Sequence, residues 1–287
     1  MNCGGKGFLE DKFEPGLPGQ DDPSFFLGLI PYEETTTYKK GTAEAPEAII
    51  DASGHIELWD ETFEIDASLH GVKTLRPDIT DLSSITRFAR ELRGAHPGKL
   101  LGFLGGEHSV TPALIEGCCS GEFGVVWIDA HADLRPSYVG SPVNHACAGF
   151  NTVPMAPIVQ IGVRTLAEEE ARFLRETDRV RCFQRWTEEA RTAILDLPDN
   201  IYLSIDADGF APEVVRAVGT PEPGGLYWDE VMDIVGTVFR GKRVMAFDVV
   251  ELCPNDYDIA STFIIAKLVY KIISHHAFFQ LRSDHAE

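Results

Sequence analysis

The chain has 287 residues, of which 44% are hydrophobic, so it is long enough to bury a large core within one domain. Its formal net charge of −20 at pH 7 argues against binding to nucleic acid or to an anionic membrane, whereas it suits a small cationic ligand. No apolar run approaches the ~18 residues of a membrane span. The six cysteines contain no C-x-x-C pair and the first residues lack a signal-peptide pattern, so we expect a cytoplasmic protein with reduced thiols.

The first part of the chain differs in composition from the rest. Residues 1–22 are rich in glycine, proline and charge, and we expect them to form an irregular N-terminal arm. Residues 23–287 show no linker, internal repeat or low-complexity tract, so we expect them to form a single domain.

Beyond this arm, strand patterns alternate with helix patterns. Apolar runs bounded by turn or helix signals predict six buried strands, at Phe25–Ile30, Leu100–Leu104, Val125–Ile128, Ile158–Ile161, Ile201–Ile205 and Val244–Val250. Apolar residues at helical spacing predict helices at Ile85–Leu92, Trp228–Phe239 and Ala260–Ile273. In addition, Thr165–Glu168 matches a capping box before a helix that runs to about Arg175. The alternation is typical of an α/β fold in which helices cover both faces of a mostly parallel sheet.

Four of the predicted strands run directly into short polar segments. Alternate residues of an extended chain point the same way, so Asp129, His131 and Asp133 share one direction, as do Asp206 and Asp208. The carboxyl ends of parallel strands meet at one edge of a sheet, where ligands bind, so we expect the four segments to form one site. The segments are Gly105-Gly106-Glu107-His108-Ser109, Asp129-Ala130-His131-Ala132-Asp133, Ser204-Ile205-Asp206-Ala207-Asp208 and Asp248-Val249-Val250-Glu251.

The residue types in these segments predict a metal site. Carboxylates that converge without lysine or arginine among them repel one another and are costly to bury, and divalent cations remove that cost. Oxygen ligands mixed with imidazole suit Mn²⁺ or a similar ion, and the number of ligands indicates two ions. A single D-x-D is usually a loop or a helix cap, but two such clusters after strands, with a histidine in a glycine-rich turn, disfavour that interpretation.

The same segments resemble the signatures of the ureohydrolase family, which contains arginases, agmatinases and their relatives. The G-G-[DE]-H-S, D-A-H-x-D and S-x-D-x-D patterns all match, and Asp248–Pro254 followed by Tyr257–Ala260 looks most like agmatinases. The likeness covers roughly residues 25–275 in the right order. It implies a three-layer α/β/α fold of the arginase type, two Mn²⁺ ions, and hydrolysis of a guanidinium to urea and an amine. It also implies a homo-oligomer, commonly a trimer or hexamer.

The resemblance further implies which residues bind the ions. One ion would be held by His108, Asp129, Asp133 and Asp206. The other would be held by Asp129, His131, Asp206 and Asp208, so that two of the aspartates bridge the ions. Asp133 would in addition orient the attacking water.

Two further positions would act on the substrate and in catalysis. Glu251 lies where the family uses a glutamate to pair with the guanidinium, and a carboxylate accepts such a fork of N–H donors in a bidentate manner. His145 lies where relatives place a histidine that shuttles protons to the leaving amine, and imidazole suits that role near neutral pH.

Departures from the family near the predicted substrate mouth leave the substrate open. Ala146–Gly149 differs from the H-G-x-P of many arginases, Ala211 stands where most relatives have an aspartate, and Arg216–Val218 replaces the usual P-G. The Asn-and-Ser loop pattern expected for recognition of an α-amino acid is missing between Arg135 and Asn144. Agmatine, which would give urea and putrescine, is therefore the favoured substrate.

Three alternatives remain at this stage. The nearest is another ureohydrolase, acting on guanidinobutyrate, guanidinopropionate, aminopropylagmatine or arginine. A basic residue that faces the substrate tail would favour the substrates that carry a carboxylate. A zinc deacetylase of the same fold would need one Zn²⁺ and would have no use for His108 and a second ligand set. A catalytically silent binding protein would be supported by a missing ligand, but all six ligand positions are filled.

Overall fold

The computed structural model of the chain describes residues 5–12 and 22–281. Within this part, eight strands form one sheet in the order β4-β1-β5-β10-β9-β6-β7-β8, and every neighbouring pair is parallel, whereas β2 and β3 form a small antiparallel pair. The strands are β1 (Phe25–Ile30), β2 (Trp59–Asp60), β3 (Ile65–Asp66), β4 (Val72–Leu75), β5 (Leu100–Gly105), β6 (Gly124–Ile128), β7 (Ile158–Ile161), β8 (Val180–Phe183), β9 (Asn200–Asp206) and β10 (Arg243–Val250).

The strand order places the four motif-bearing strands side by side. After β5 the chain passes to β6 and leaves two positions of the sheet between them, which β9 and β10 fill later. As a result β5, β10, β9 and β6 are consecutive neighbours at the centre of the sheet. Because all four run in the same direction, the polar segments that follow them emerge at one edge.

Eight α-helices cover the two faces of the sheet in the described part of the chain. One face packs against α1, α6, α7 and α8, and the other packs against α2, α3, α4 and α5. Successive residues of β9 alternate between these two cores, with Leu203 in the first and Tyr202 in the second, as the pleat of a strand requires. The predicted three-layer α/β/α architecture is therefore confirmed. The helices are α1 (Ala45–Ser53), α2 (Leu82–Ala95), α3 (Val110–Cys118), α4 (Ala148–Thr152), α5 (Glu168–Glu176), α6 (Glu188–Leu195), α7 (Trp228–Gly241) and α8 (Ile259–His276).

The six predicted strands are all present, and each bound agrees with the observed one to within a residue. These strands are apolar because both faces of the sheet are covered. The sequence did not reveal the short β2–β3 pair or two strands of the main sheet, β4 and β8, which are its two edges. Each edge strand is short and carries a charged residue, Lys73 or Arg181, which interrupts the apolar run.

The predicted capping box at Thr165–Glu168 is wrong. The N-cap of α5 is Ala167, whose backbone N–H donates to the Glu170 carboxylate at 2.6 Å. Thr165 belongs instead to the loop at the sheet edge, because its backbone N–H donates to the carbonyl of Ala130 at 3.2 Å. The other oxygen of Glu170 accepts from the N–H of Leu134 at 2.8 Å, so this carboxylate ties α5 to the loop after β6.

Much of the predicted N-terminal arm, residues 1–4 and 13–21, lies outside the described residues. In the part that is described, Phe8 and Leu9 are buried against the core that contains α1, and a short 3-10 helix, Glu10–Lys12, follows them. The domain boundary at residue 22 stays a prediction. Across residues 5–12 and 22–281, no helix combines the length and apolar character that a membrane crossing requires.

Candidate metal and substrate site

The candidate site lies at the carboxyl edge of the sheet, where local hydrogen bonds shape the acidic segments. The carboxylate of Asp206, the last residue of β9, accepts a hydrogen bond from the N–H of Asp208 at 2.8 Å. This bond begins the 3-10 turn Ala207–Gly209, which carries Asp208 toward the end of β6. There the Asp208 carboxylate accepts from the N–H of Ala130 at 3.1 Å. A backbone N–H of one acidic segment is therefore bonded to a carboxylate of the other, which holds the two segments together.

A first group of ligand atoms surrounds His108, which follows β5. Its Nδ1 lies 3.2 Å from Oδ2 of Asp129, 3.4 Å from Oδ2 of Asp133 and 3.1 Å from Oδ2 of Asp206. The imidazole and the carboxylates of Asp129 and Asp206 are all buried. Their ligand atoms are close enough together to bind one metal ion.

A second group lies beside the first and shares Asp129 with it. Nδ1 of His131 is 3.0 Å from Oδ2 of Asp208 and 3.6 Å from Oδ1 of Asp129. These three side chains can also hold an ion. Asp129 has one oxygen in each group, which agrees with a bridging position. The structure thus brings all six predicted ligands together, and we call His108, Asp129, His131, Asp133, Asp206 and Asp208 the aspartate cluster.

The aspartate cluster is short of positive charge. Burial and the neighbouring aspartates raise the pKa of both Asp133 and Asp206 well above the ordinary value. Burial lowers the pKa of His108, but the close carboxylates of Asp129 and Asp206 outweigh it and leave that pKa well above its usual value. Across the described residues, these aspartates form ion pairs with histidines and with no lysine or arginine. A divalent cation between these carboxylates would offset their repulsion and the cost of their burial.

The state of His108 fits a metal ion as that cation. Its Nδ1 is buried and makes no well-directed hydrogen bond, although three carboxylates lie within 3.4 Å. A buried nitrogen facing several carboxylates is unfavourable unless a shared cation lies between them. Imidazole nitrogen with carboxylate oxygen is a donor set that suits divalent transition metals such as Mn²⁺. Which residues belong to which ion stays a prediction.

Trp127 is a part of the site that sequence reasoning missed. Its Nε1–H donates to Oδ2 of Asp129 at 2.8 Å, and its ring stacks on the imidazole of His108 with 4.2 Å between ring centroids. One residue thus fixes both a carboxylate and an imidazole of the cluster. It lies inside the apolar run of β6, where nothing in the sequence separates it from an ordinary core residue.

Glu251 and Asp133 both have backbones in the left-handed region, with φ of 61° and 51°. Non-glycine residues adopt this conformation at a cost, and it is concentrated at functional sites. The Glu251 backbone is held by its N–H, which donates to the carbonyl of Gly106 at 2.8 Å. Its side chain turns back, and Oε1 accepts from the backbone N–H of His108 at 2.7 Å. The carboxylate is therefore fixed beside the cluster without being one of its ligands.

His145 lies between Glu251 and the loop that follows β1. Its Nδ1 is 3.6 Å from Oε1 of Glu251, its Nε2 is 3.3 Å from Oγ1 of Thr37, and its backbone N–H donates to Oγ1 of Thr35 at 2.9 Å. Burial lowers the pKa of His145, but the hydrogen bond and charge of Glu251 raise it above the ordinary value overall. The imidazole is thus suited to hold a proton next to the cluster.

Glu107 positions this arrangement, and sequence reasoning gave it no role. Its buried carboxylate accepts hydrogen bonds from the backbone N–H groups of Glu34, Thr35 and Thr36, and from the hydroxyls of Thr35 and Ser109. These bonds hold the loop that contacts His145. Its place in the Gly105–Ser109 segment was visible, but not that its side chain points away from the metal ligands.

The predicted site residues surround a cavity of about 210 Å³. Its lining includes His131, Asp133, His145, Asp206, Asp208 and Glu251. His108 and Asp129 are fully buried behind this surface. At the mouth lies Arg135, which faces Glu169 and Glu170 at 3.4 and 3.9 Å and stacks over the ring of Tyr138.

Comparisons with known proteins point to one family. The arginase family matches residues 24–274 of the chain. The N(1)-aminopropylagmatine ureohydrolase of Synechocystis sp. is 34% identical over an alignment that covers 96% of this chain and 95% of that protein. The agmatinase of Pyrococcus horikoshii is 32% identical, with coverage of 92% and 97%. The crystal structure of the agmatine ureohydrolase of Thermoplasma volcanium matches with a TM-score of 0.80 and 26% identity, covering 92% of this chain and 93% of that one.

These matches confirm the family and the fold that the motifs predicted. The likeness runs through all four motif-bearing strands, since residues 24–274 contain every predicted ligand. The similar proteins are named ureohydrolases and agmatinases, so the prediction of a hydrolase of this class is also confirmed. The catalytic, metal-binding and substrate-binding roles of individual residues stay predictions. This chain belongs to the arginase family, as a hydrolase of the ureohydrolase class.

Proposed function

We propose that the chain is a Mn²⁺-dependent ureohydrolase whose substrate is a guanidinium compound with a cationic tail, most simply agmatine, which gives urea and putrescine. The observation that carries this proposal is the cavity of about 210 Å³, where the aspartate cluster lies beside Glu251 and His145. A cationic substrate also suits an acidic protein with a formal net charge of −20.

The mouth of the cavity supports a cationic rather than a carboxylate-bearing tail. A basic residue, Arg135, does lie there, but it faces two carboxylates, Glu169 and Glu170. The guanidinium is therefore already neutralised and the rim keeps an excess of negative charge. Such a rim attracts an ammonium group and repels the carboxylate of arginine or guanidinobutyrate.

N(1)-aminopropylagmatine is a second candidate substrate. Its support is the 34% identity to the Synechocystis protein named for it, over nearly the whole of both chains. It is agmatine lengthened by an aminopropyl group, so its tail also carries positive charge. The acidic rim accommodates either compound, and only a direct comparison of rates separates them.

The chain's own residues have distinct tasks in the proposed reaction. When bound, two divalent ions supply the Lewis acidity that activates water near neutral pH, and the residues that would hold them are those of the aspartate cluster. Glu251, whose Oε1 is anchored on the His108 N–H, accepts N–H donors of the guanidinium and orients its planar carbon. Asp133 orients the attacking water. As the new C–O bond forms and the C–N bond to the tail breaks, the imidazole of His145 delivers a proton to the leaving amine.

The first experiment measures urea released by metal-stripped protein from agmatine, N(1)-aminopropylagmatine, 4-guanidinobutyrate and arginine, with and without added Mn²⁺. We expect Mn²⁺-dependent urea from the first two and much less from the last two. Absence of urea from every guanidine with Mn²⁺ restored would contradict the hydrolase proposal. Comparable rates on arginine would contradict the preference for a cationic tail. Parallel reloading with Zn²⁺, Mg²⁺ and Co²⁺ tests the choice of metal.

Two carboxylate variants test whether Glu251 binds the guanidinium while Glu169 acts only on the substrate tail at the cavity mouth. Glu251→Gln removes the charge that faces the guanidinium, so kcat/KM should fall roughly 10²- to 10³-fold for every guanidine. Glu169→Gln, its control at the exposed mouth, should raise KM only for substrates with an amine tail, and by less than about tenfold. Equal losses in the two variants would argue against an anchoring role for Glu251.

The expected homo-oligomer, trimer or hexamer, also stays a proposal. Exposed apolar side chains near the start of α8, Tyr257 and Ile259, support it because such residues are commonly covered by a partner. The native mass of the purified full chain tests it. A monomer at micromolar concentration would contradict it.

A further inference from the structure

A buried carboxylate that is not a predicted ligand lies directly behind the aspartate cluster. Asp248 is fully buried on β10, and its neighbour in the sheet register is Ser204 on β9. The Ser204 hydroxyl donates to Oδ1 of Asp248 at 2.7 Å. The same hydroxyl oxygen lies 3.0 Å from Nε2 of His108. Three residues from three neighbouring strand ends therefore form one hydrogen-bonded chain that finishes on a predicted metal ligand.

The direction of the bonds in this chain follows from the donors available. A serine hydroxyl has one hydrogen, and that of Ser204 is donated to the carboxylate of Asp248. The oxygen of Ser204 can then only accept from His108, so the proton on Nε2 of that imidazole points at Ser204. The lone pair of the neutral ring is left on Nδ1, the nitrogen that faces the three aspartates. A metal ligand needs this tautomer.

The other contacts of Asp248 fix its orientation. Its Oδ2 accepts hydrogen bonds from the hydroxyls of Tyr202 at 2.7 Å and Thr111 at 2.8 Å. Burial of a carboxylate is costly, and hydrogen bonds from three hydroxyls offset part of that cost. Trp127, stacked on His108, fixes the plane of the imidazole in addition. The Asp248 carboxylate is thus held so that one oxygen faces Ser204. Its burial is costly, and its contacts run through Ser204 to His108, a predicted metal ligand.

We propose that Asp248 and Ser204 are positioning residues that hold His108 in its metal-binding tautomer and so set the affinity of the ion bound through His108. The ion bound through His131 and Asp208 does not depend on this chain of hydrogen bonds. The two ions should therefore respond differently when the chain is broken. The inference rests on the proposed metal binding, but not on the identity of the substrate.

The test counts Mn²⁺ ions bound to metal-stripped protein by titration, with the electron paramagnetic resonance signal of free Mn²⁺ as the readout. Ser204→Ala removes the acceptor for Nε2, and Asp248→Asn removes the carboxylate that orients Ser204. In both variants we expect one of the two dissociation constants to rise about 10- to 100-fold, the size usual for a partner of a metal-ligating histidine. The other dissociation constant should stay within about twofold.

Tyr202→Phe is the matched control. Tyr202 is as buried as Ser204 and donates to the same carboxylate, but it has no contact along the path to His108. In Tyr202→Phe the hydroxyl of Thr111 still donates to Oδ2 of Asp248 and Ser204 still donates to Oδ1, so the carboxylate keeps its orientation. We therefore expect both dissociation constants to stay within about twofold of those of the unchanged chain. Equal loss of affinity in Tyr202→Phe and Ser204→Ala would overturn the proposal, because it would reveal a general effect on packing. Unchanged binding of both ions in Ser204→Ala and Asp248→Asn would overturn it as well.

Two further measurements keep this result separate from folding and from the proposed function. Circular dichroism and thermal melting of the metal-free variants show whether each one folds, and a variant whose metal-free form melts as the unchanged chain does gives a valid count. Ion counting needs no turnover. If no guanidine is hydrolysed but Ser204→Ala still loses one ion selectively, the proposed function fails and the positioning role stands.

Discussion

Two buried charged clusters of this protein are neutralised in different ways. The aspartate cluster contains four carboxylates and two imidazoles, and in the described residues no lysine or arginine pairs with them. At the other, which we call the lysine cluster, Lys271 of α8 lies 3.2 Å from Asp60 and 2.8 Å from Glu61. Lys271 and Asp60 are both buried. The second cluster contains a lysine as its cation, whereas the only basic groups of the first are its two histidines.

The difference separates a structural ion group from a functional one. The lysine cluster links α8 to the β2–β3 region, and its buried carboxylate, Asp60, is paired with a cation of the chain itself. In the aspartate cluster like charges are left together, which destabilises the metal-free fold. The fold thus neutralises a buried carboxylate with lysine in one place and leaves carboxylates without it in another, which supports the proposal that the second place binds metal ions from solution.

The largest expected effect is on the lysine cluster. Lys271→Met leaves Asp60 buried without its cation, so the free energy of unfolding should fall by about 3–5 kcal/mol. Lys267→Met is the control on the same helix, because Lys267 is partly exposed and donates to the carbonyl of Glu57. It should cost less than about 1 kcal/mol. Urea denaturation measures the free energy of unfolding of both variants. Similar losses of stability would show that the buried Lys271–Asp60 pair contributes no more than the partly exposed lysine.

A somewhat smaller effect concerns His275, one turn beyond Lys271. Burial lowers the pKa of His275 to about 4. Its Nδ1 forms a hydrogen bond with the backbone carbonyl of Lys271. Lys271 and Arg240 also disfavour its protonation, while Asp60 opposes them. Because the folded state binds this proton less well than the unfolded state, stability is full above pH about 6.5 and is lost as the pH falls toward about 4. The loss is up to about 3 kcal/mol.

The measurement for His275 is the denaturation free energy between pH 7 and 4 for the unchanged chain and for His275→Leu. The variant should lack this share of the pH dependence, since it has no group to protonate there. Titration of the aspartates contributes to both curves and cancels in the difference. Parallel curves would contradict the assignment of this pH dependence to His275.

The aspartate cluster should respond to added cations. Mn²⁺ added to metal-stripped protein should stabilise the fold by about 2.7 kcal/mol for each ion present at a hundred times its dissociation constant. Asp129→Asn, which removes the charge shared by both groups, should abolish most of this gain. Thermal melting with increasing Mn²⁺ measures it. Full stabilisation of Asp129→Asn would contradict the shared position of Asp129.

The smallest effect is on the metal-free protein, where replacing an aspartate by asparagine should change the free energy of unfolding in opposite directions in the two clusters. Without metal, Asp206→Asn removes a repelling charge, and its amide oxygen can still accept from the Asp208 N–H, so the fold should gain roughly 1 kcal/mol. Asp60→Asn removes the partner of Lys271 and should destabilise instead. Destabilisation by both variants in metal-free protein would remove the distinction between the clusters.

The sequence predicted the site well because its chemistry is local. Strand and ligand lie within one short segment, so the ends of β6 and β9 and the directions of Asp129 and Asp206 follow from the apolar runs and the alternation of side chains. What it could not reveal depends on contacts between distant strands. Ser204 and Asp248 are neighbours only because β9 pairs with β10, and the pairing of strands has no local signature.

Errors and omissions arose where tertiary contacts override local patterns. Thr165 has the residue type of a helix cap, but its backbone bonds to the loop after β6. Glu107 resembles one more acidic residue of a ligand segment, yet its carboxylate binds a loop that lies far away in the sequence. In both cases the partner is remote along the chain, so the local pattern alone cannot distinguish the expected local role from the observed tertiary contact.

The late insertion of β9 and β10 between β5 and β6 has a consequence for folding. Asp129 is synthesised early, whereas Asp206 ends β9 and Glu251 directly follows β10, and both strands are made after β6, β7 and β8. Until then the centre of the sheet has two open edges, and pairing across such long sequence separations is slow. The six predicted metal ligands therefore come together only when β9 is in place beside β6, and tight binding of the proposed ions would report the completed centre of the sheet.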